Sequence, residues 1–385
     1  MDTEERLRTE AVRRVLAGEP VPAVARALQR SERWVYKWAQ RYDPSDARWA
    51  QGHSRAPRHV ANRSDPKLEA LVLSVRARLA RQPWAQIGAP AIAWELHKLH
   101  LRKIPELRTI ERILERAAVP RRERRLRYAA KGTPYPALPT PGPNDLQEAD
   151  LIGPRHLRGA VPFHVLNVVD IGRRAAACEL QAGKTDAETA ASLIRIWGRL
   201  GIPKRLKLDN WLIAQHGRRL PRTVWLCLAL GVIPVFVPFR EPWRQGVIEH
   251  FNDTFDKRFF RSERFRDLSH LARRLLSFER FHNANHRYAA LGRATPDEFA
   301  ARLGFAPRLL APGFVMPVRL PRRGRIELIR LIRSDRVLQV LDERIVLGPE
   351  LVHEYVTAIL HVRRAELEIV HQGKVVKRLD FAHLD

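Results

Sequence analysis

The segment 146–152 reads Leu146-Gln147-Glu148-Ala149-Asp150-Leu151-Ile152. A short run of this kind, closed by apolar residues, reads as a strand that carries Asp150. A second carboxylate closes Arg205-Leu206-Lys207-Leu208-Asp209-Asn210, where an apolar-alternating strand runs into a loop. A third, Glu249, sits in Gln245-Gly246-Val247-Ile248-Glu249-His250-Phe251-Asn252, the start of a helix-like segment. Asp209 follows Asp150 by 59 positions, and Glu249 follows Asp209 by 40. Two strand-end aspartates and a helical glutamate can meet at one sheet edge and hold two divalent ions. Magnesium and manganese prefer such an all-oxygen shell. Two metals can then activate an attacking oxygen and stabilise a leaving one in phosphoryl transfer.

Around these residues the pattern is strand, strand, strand, helix, strand, helix, strand, helix. The strands fall near Asp150 and at 164–170, 175–180, 206–209 and 232–237; the helices fall at 186–200, 221–230 and 244–260. Three meandering strands followed by alternating helices and strands predict a mixed α/β sheet. Taken singly, each acid has a plainer reading. An Asp at a strand end is commonly a turn or cap residue, and a helical Glu is commonly solvated. Asp253, one turn beyond Glu249, competes as a ligand. Asp170, on an apolar strand, reads as structural.

Four pieces together carry a family resemblance: Glu148-Ala149-Asp150, Val168-Val169-Asp170, Leu208-Asp209-Asn210, and Gly246-Val247-Ile248-Glu249 followed by Asn252. In order and spacing the segment resembles the catalytic core of retroviral-integrase-like transposases, the DDE enzymes of bacterial insertion sequences. The resemblance implies a ribonuclease-H-like fold with Asp150, Asp209 and Glu249 as catalytic metal ligands for two magnesium or manganese ions. It also implies double-stranded DNA, both element ends and target, as substrate. Joining two ends implies a homo-oligomer on DNA. Leu291-Gly292 and Thr295-Pro296 resemble the family's signature after the core. One residue departs from the pattern: Trp211 stands where the family usually has Gly. The expectation is a β-region path there, with the indole turned outward to stack on DNA.

Composition agrees with a polyanionic partner. The 385 residues include 69 Lys and Arg against 42 Asp and Glu, a formal net charge of +27. The sequence pI is about 11.2. Nucleic acid is the first choice of partner and an anionic membrane surface the second. Much of the charge is arginine, which suits bidentate phosphate contacts. Cys178 and Cys227 lie in apolar settings and lack zinc-ligand spacing, so buried free thiols are expected. No run approaches the roughly 18 apolar residues of a membrane span. A cytoplasmic, nucleoid-associated protein is expected.

The N-terminal region reads as three short helices at 5–17, 22–28 and 32–42, with Ser31 as a helix cap, the helix-turn-helix pattern. Arg33, Lys37 and Arg41 repeat at i, i+4 and i+8 and share one face, with Trp34, Tyr36 and Trp38 interleaved. They are candidate DNA contacts, against the plainer reading of a solvated basic face. A second three-helix pattern covers 67–81, 89–99 and 106–116. It resembles the end-binding region of the same transposases, most closely at Arg108-Thr109-Ile110-Glu111-Arg112-Ile113-Leu114. Arg108, Arg112 and Arg116 lie opposite its apolar face. Arg121, Arg122, Arg124 and Arg125 follow as candidate phosphate contacts. Pro134 to Pro143 then read as a semi-extended tether.

The helix at 268–282 and His286 read as structural support. Beyond residue 312 the pattern turns to short β runs punctuated by Gly324, Gly348 and Gly373. The family carries a small SH3-like barrel at this place. The expected fold is therefore multidomain. It comprises an N-terminal all-α helix-turn-helix module (1–44), a basic linker (45–65), a second helical DNA-binding module (66–128) and a Pro-rich linker (129–143). A central α/β ribonuclease-H-like core (144–305) and a C-terminal all-β SH3-like barrel (312–385) complete it. The leading function is a DNA transposase that cleaves element ends and transfers strands to target DNA. The competing readings are a catalytically inactive DNA-binding regulator or architectural protein, and a nuclease without strand transfer.

Overall fold

The computed structural model describes residues 3–52, 63–101, 103–119, 134–136, 141–157, 159, 161–214 and 219–381. The chain divides into two compact units, Met1–Asp65 and Pro66–Asp385. The first holds α1 (Thr3–Leu16), α2 (Val21–Ala27) and α3 (Glu32–Arg41). Ser31 caps α3, its side chain accepting from the Trp34 amide at 3.3 Å. Ala11, Val24, Ala25 and Val35 form the small core.

The second unit begins with α4 (Pro66–Arg81), α5 (Ala89–Lys98) and α6 (Leu107–Arg116). Their apolar stripes, including Val72, Val75, Ile92, Leu96, Ile110 and Ile113, make a core of their own. The core strands and helices follow: β1 (Leu146–His156), β2 (Pro162–Asp170), β3 (Ala176–Gln181), α7 (Asp186–Trp197), β4 (Arg205–Leu208), α8 (Trp211–Ala214), α9 (Arg222–Leu230), β5 (Ile233–Phe236) and α10 (Gly246–Phe255). A π-helical turn, Asp256–Phe260, extends α10 and leads to α11 (Leu268–Asn285) and α12 (Pro296–Arg302). Six strands end the chain: β6 (Arg325–Leu331), β7 (Val337–Val340), β8 (Glu343–Val346), β9 (Tyr355–His361), β10 (Glu366–His371) and β11 (Lys374–Asp380).

Strands β1, β2 and β3 pair antiparallel, and β4 and β5 join β1 in parallel, the expected mixed sheet. Alternation along β2 sorts its residues between two cores. Leu166 and Val168 pack with α7 and α9 through Leu193, Ile196, Trp197 and Val224. Val165 and Val169 pack with α10 and α11 through Phe251, Phe255 and Phe278. Cys178 and Cys227 are buried and unpaired, as expected.

Three expectations need correction. First, the C-terminal strands do not close into a separate SH3-like barrel among the described residues. Strand β6 pairs in parallel with β5, and β9, β10 and β11 continue antiparallel, giving one nine-stranded sheet, with β7–β8 a separate hairpin. A buried β5 would otherwise leave an open edge, and β6 covers it. Second, residues 314–320, the first of the short β runs expected beyond residue 312, form no strand; Pro317 and Pro321 interrupt the run, and Val315 and Val318 are exposed.

Third, the second helical module is not merely tethered. Trp84, between α4 and α5, inserts into the aromatic cluster of Phe259, Phe278 and Phe281, with ring centroids 6.0, 5.8 and 5.6 Å away. Its indole N–H donates to Glu263 Oε1 at 2.6 Å. Its carbonyl bonds His286 Nε2 at 2.8 Å, which gives His286 the structural part expected of it.

Candidate active site

The parallel pairing of β1 with β4 matches Leu146 to Arg205, Gln147 to Leu206 and Glu148 to Lys207. The offset is 59 positions, the same as between Asp150 and Asp209. Continued by two residues, this register sets Asp150, within β1 rather than at its end, beside Asp209, which follows the last residue of β4. Asp150 is half-buried and Asp209 exposed. Burial raises the Asp150 carboxyl above its ordinary range. The Asn252 donor opposes the rise, and the Asp209 charge adds to it.

Helix α10 is anchored to β1 at two points. Glu148 Oε2 accepts from the Ile248 amide at 2.9 Å, so a strand carboxylate caps the first turn of the helix. One turn on, Asn252 Nδ2 donates to Asp150 Oδ2 at 2.7 Å, while Asn252 Oδ1 accepts from Asn167 Nδ2 at 2.9 Å. Glu249 lies in the turn between these anchors and is exposed. Lys207 Nζ, 2.8 Å from Glu148 Oε1, also donates to the Arg244 carbonyl at 2.9 Å. Arg244 stacks on Tyr135 and Tyr355, its guanidinium 4.0 and 5.0 Å from the ring centres. A network therefore braces the loop before α10 from β4, the Pro-rich segment and β9.

The three acids form no closed cluster. Among the described residues, the one His/acid group with all ligand atoms within 4.8 Å of one another is His361, Glu366 and Glu368. That group is an ion-pair ladder: Glu368 takes His361 at 2.9 Å and Arg378 at 3.0 Å, and Glu366 takes Arg364 at 3.5 Å. Asp170 is fully buried and accepts from the Asn144 and Gly172 amides and from Arg173, a structural role as expected. Asp253 pairs with Lys257 at 2.5 Å.

Trp211 contradicts the expected β-region path and outward indole. It opens α8, and its half-buried ring packs on the main core under Lys184, whose Nζ lies 4.7 Å from the ring centre. Trp211 is not among the positive-φ residues. A helical start requires none of glycine's freedom, so a bulky residue is accommodated. Lys184, unnoticed in the sequence, lies close enough to Asp150 to favour its charged form.

In the first unit Arg33 and Lys37 are exposed on α3, and Arg41 is half-buried. Lys37 and Arg41 lie over the Trp38 ring at 5.5 and 4.8 Å. Trp38 itself is buried, so it belongs to the core rather than to the contact face. Arg108, Arg112 and Arg116 are exposed on α6, but Arg108 pairs with Glu111 at 3.1 Å and Arg116 with Glu69 at 2.5 Å. Arg121, Arg122, Arg124 and Arg125 lie outside the described residues.

Two family models match the chain. A homeodomain-like domain covers residues 2–47, and an integrase core domain covers residues 230–296. Part of the chain is similar to an integrase core. The matched part of the integrase core spans β5, the braced loop, α10 with Glu249, and α11. The first match falls on the helix-turn-helix pattern read at the N-terminus, and the second on the Gly246–Asn252 piece of the resemblance. Solved structures similar to the chain include the HTLV-2 integrase catalytic core domain in complex with magnesium, in its dimeric form. It is 13% identical, covers 42% of this chain and 98% of that one, and has a TM-score of 0.32. The catalytic core domain of BIV integrase is 17% identical over 42% of this chain and 96% of that one, also with a TM-score of 0.32. Among the described residues, no helix is long and apolar enough to cross a membrane.

Proposed function

We propose that the protein is a DDE-type DNA transposase whose integrase core cleaves element ends and transfers them into target DNA. The observation that carries the reading is the shared 59-residue offset of β1–β4 and of Asp150–Asp209, with the Glu249 turn bonded to β1 on both sides. The donor set suits magnesium or manganese: all three candidates are carboxylates. Two such ions, when bound, would supply Lewis-acid stabilisation of the entering and leaving phosphodiester oxygens.

The chain's own residues do the positioning. Asn252 orients Asp150, and Glu148 with Lys207 holds the turn that carries Glu249. Exposed Asp209 and Glu249 remain open to a DNA strand. Arg33, Lys37 and Arg41 of the homeodomain-like unit read element ends. Arg108, Arg112 and Arg116 add phosphate contacts, Arg108 and Arg116 exchanging their surface carboxylates for phosphate at little cost. Handling two ends requires a homo-oligomer assembled on DNA.

The test supplies paired end-sequence duplexes, a target duplex and magnesium or manganese. Metal-dependent joining of ends to target supports the transposase. Cleavage without joining favours a nuclease, and binding without either favours an inactive regulator.

A further inference from the structure

We propose that Arg330, on β6 of the C-terminal sheet, is a positioning residue of the candidate active site that fixes the Asp209–Asn210 turn. The proposal rests on the transposase reading of that site. Arg330 lies outside both the 144–305 core expected from the sequence and the matched integrase core segment. Only the joining of β6 to β5 brings it to the site.

The bonds form a closed set. Arg330 donates through one terminal nitrogen to Asn210 Oδ1 at 2.9 Å, and through the other to the Val237 carbonyl at 3.1 Å. Asn210 Nδ2 donates to the same Val237 carbonyl at 2.5 Å. The end of β4 is thereby tied to the end of β5, with the arginine locking both. The Asn210 amide in turn donates to Asp209 Oδ1 at 2.6 Å. Arg330 thus acts on Asp209 through one intervening residue, and both ends of the Asn210 side chain are used.

Arg330 is costly to the fold. It is 4% exposed, and burial pushes its guanidinium down to about 10. Among the described residues it has no carboxylate partner. Its remaining bonds go to the Ile329 and Gln339 carbonyls, and Phe239 lies 4.4 Å under its plane. A buried cation without a counter-ion is poorer for stability than an apolar side chain of similar size. Its immediate neighbour Ile329 is buried and apolar. What the cation gains in return is a planar, forked donor that reaches a side chain and a carbonyl at once, which neither methionine nor lysine can copy.

The test uses the full-length chain and four variants: Arg330→Met, Arg330→Lys, Asn210→Ala and, as control, the exposed neighbour Arg333→Ala. Manganese affinity is measured by calorimetry, cleavage kcat and KM on end DNA, and folding by melting temperature. Residues that orient metal ligands typically contribute about 10–100-fold to affinity or activity. Arg330→Met and Asn210→Ala should therefore weaken manganese binding and lower kcat by about tenfold or more, with KM for DNA unchanged. Arg330→Lys should recover part of the loss, and Arg333→Ala should match wild type. Wild-type manganese affinity and kcat in Arg330→Met would overturn the proposal. If that variant does not fold, Asn210→Ala decides by the same criteria. A wild type that binds manganese but cleaves nothing removes the transposase reading, while the titrations still decide the role of Arg330. A wild type that binds no manganese overturns both.

Discussion

Glu148 and Lys207 face each other across the parallel β1–β4 pair, and their side chains meet at 2.8 Å with almost no exposure to solvent. The pair sits two residues before Asp150 on one strand and two before Asp209 on the other. It fixes the register that sets those aspartates side by side. Glu148 also caps the helix that bears Glu249. One ion pair therefore orders all three acid-bearing segments.

Removing one partner strands a buried charge, which costs about 3–5 kcal/mol. Glu148→Met and Lys207→Met are each expected to destabilise the second unit by that amount. The double variant should lose less than the sum. Urea unfolding of the four proteins as a double-mutant cycle measures the coupling; additive losses would show that the pair is not coupled.

Trp84 ties the second helical module to the core. Trp84→Ala removes a buried indole and its bond to Glu263, with an expected loss of about 3–5 kcal/mol. The same change should expose the α4–α6 module to proteolysis before the core sheet. A melting temperature within a degree or two of wild type would argue against docking through this residue.

Acid should weaken the same junction. His286 is buried among Trp84, Phe278 and Phe281, and burial lowers its pKa from 6.5 to about 4. Burial also lowers His282, whose ring centre is 4.7 Å away. The unfolded chain takes up these protons first. Stability is therefore full above pH 6.5 and falls as pH drops towards 4, by about 3 kcal/mol from His286 alone. Denaturation across that window should show a smaller slope in His286→Asn; an unchanged slope would place the protonation elsewhere.

Much of this was readable in the sequence. Apolar runs located β2 and β5, apolar alternation located β4, and the 59-residue spacing of the aspartates is the strand register itself. Helical stripes gave α1 to α6 to within a few residues. What was not readable depends on partners far along the chain. Nothing local marks Trp84 as the plug of an aromatic cluster some 175 residues later. Nothing in β6 announces that it will cover the edge of β5, or that Arg330 will reach Asn210 across 120 positions. At Trp211 nothing local separates the expected β-region path and outward indole from what the structure has, a helix start whose ring packs on the core.

The homeodomain-like unit should account for most end recognition. Arg33→Ala and Lys37→Ala should each weaken DNA binding and lower the slope of log affinity against log salt by about one. Fluorescence anisotropy from 50 to 200 mM salt, on end and scrambled duplexes, measures both effects. A slope unchanged by either substitution would remove that residue from the phosphate contacts.

The most direct measurement is a strand-cleavage and strand-transfer assay with manganese on Asp150→Asn, Asp209→Asn and Glu249→Gln. Each amide keeps the side chain's shape but lacks the charge that a metal needs. The account predicts that all three bind end DNA like wild type while cleavage and transfer fall below detection. Near-normal transfer by any of them would contradict the assignment of that carboxylate as a ligand, and near-normal transfer by all three would contradict the active site proposed here.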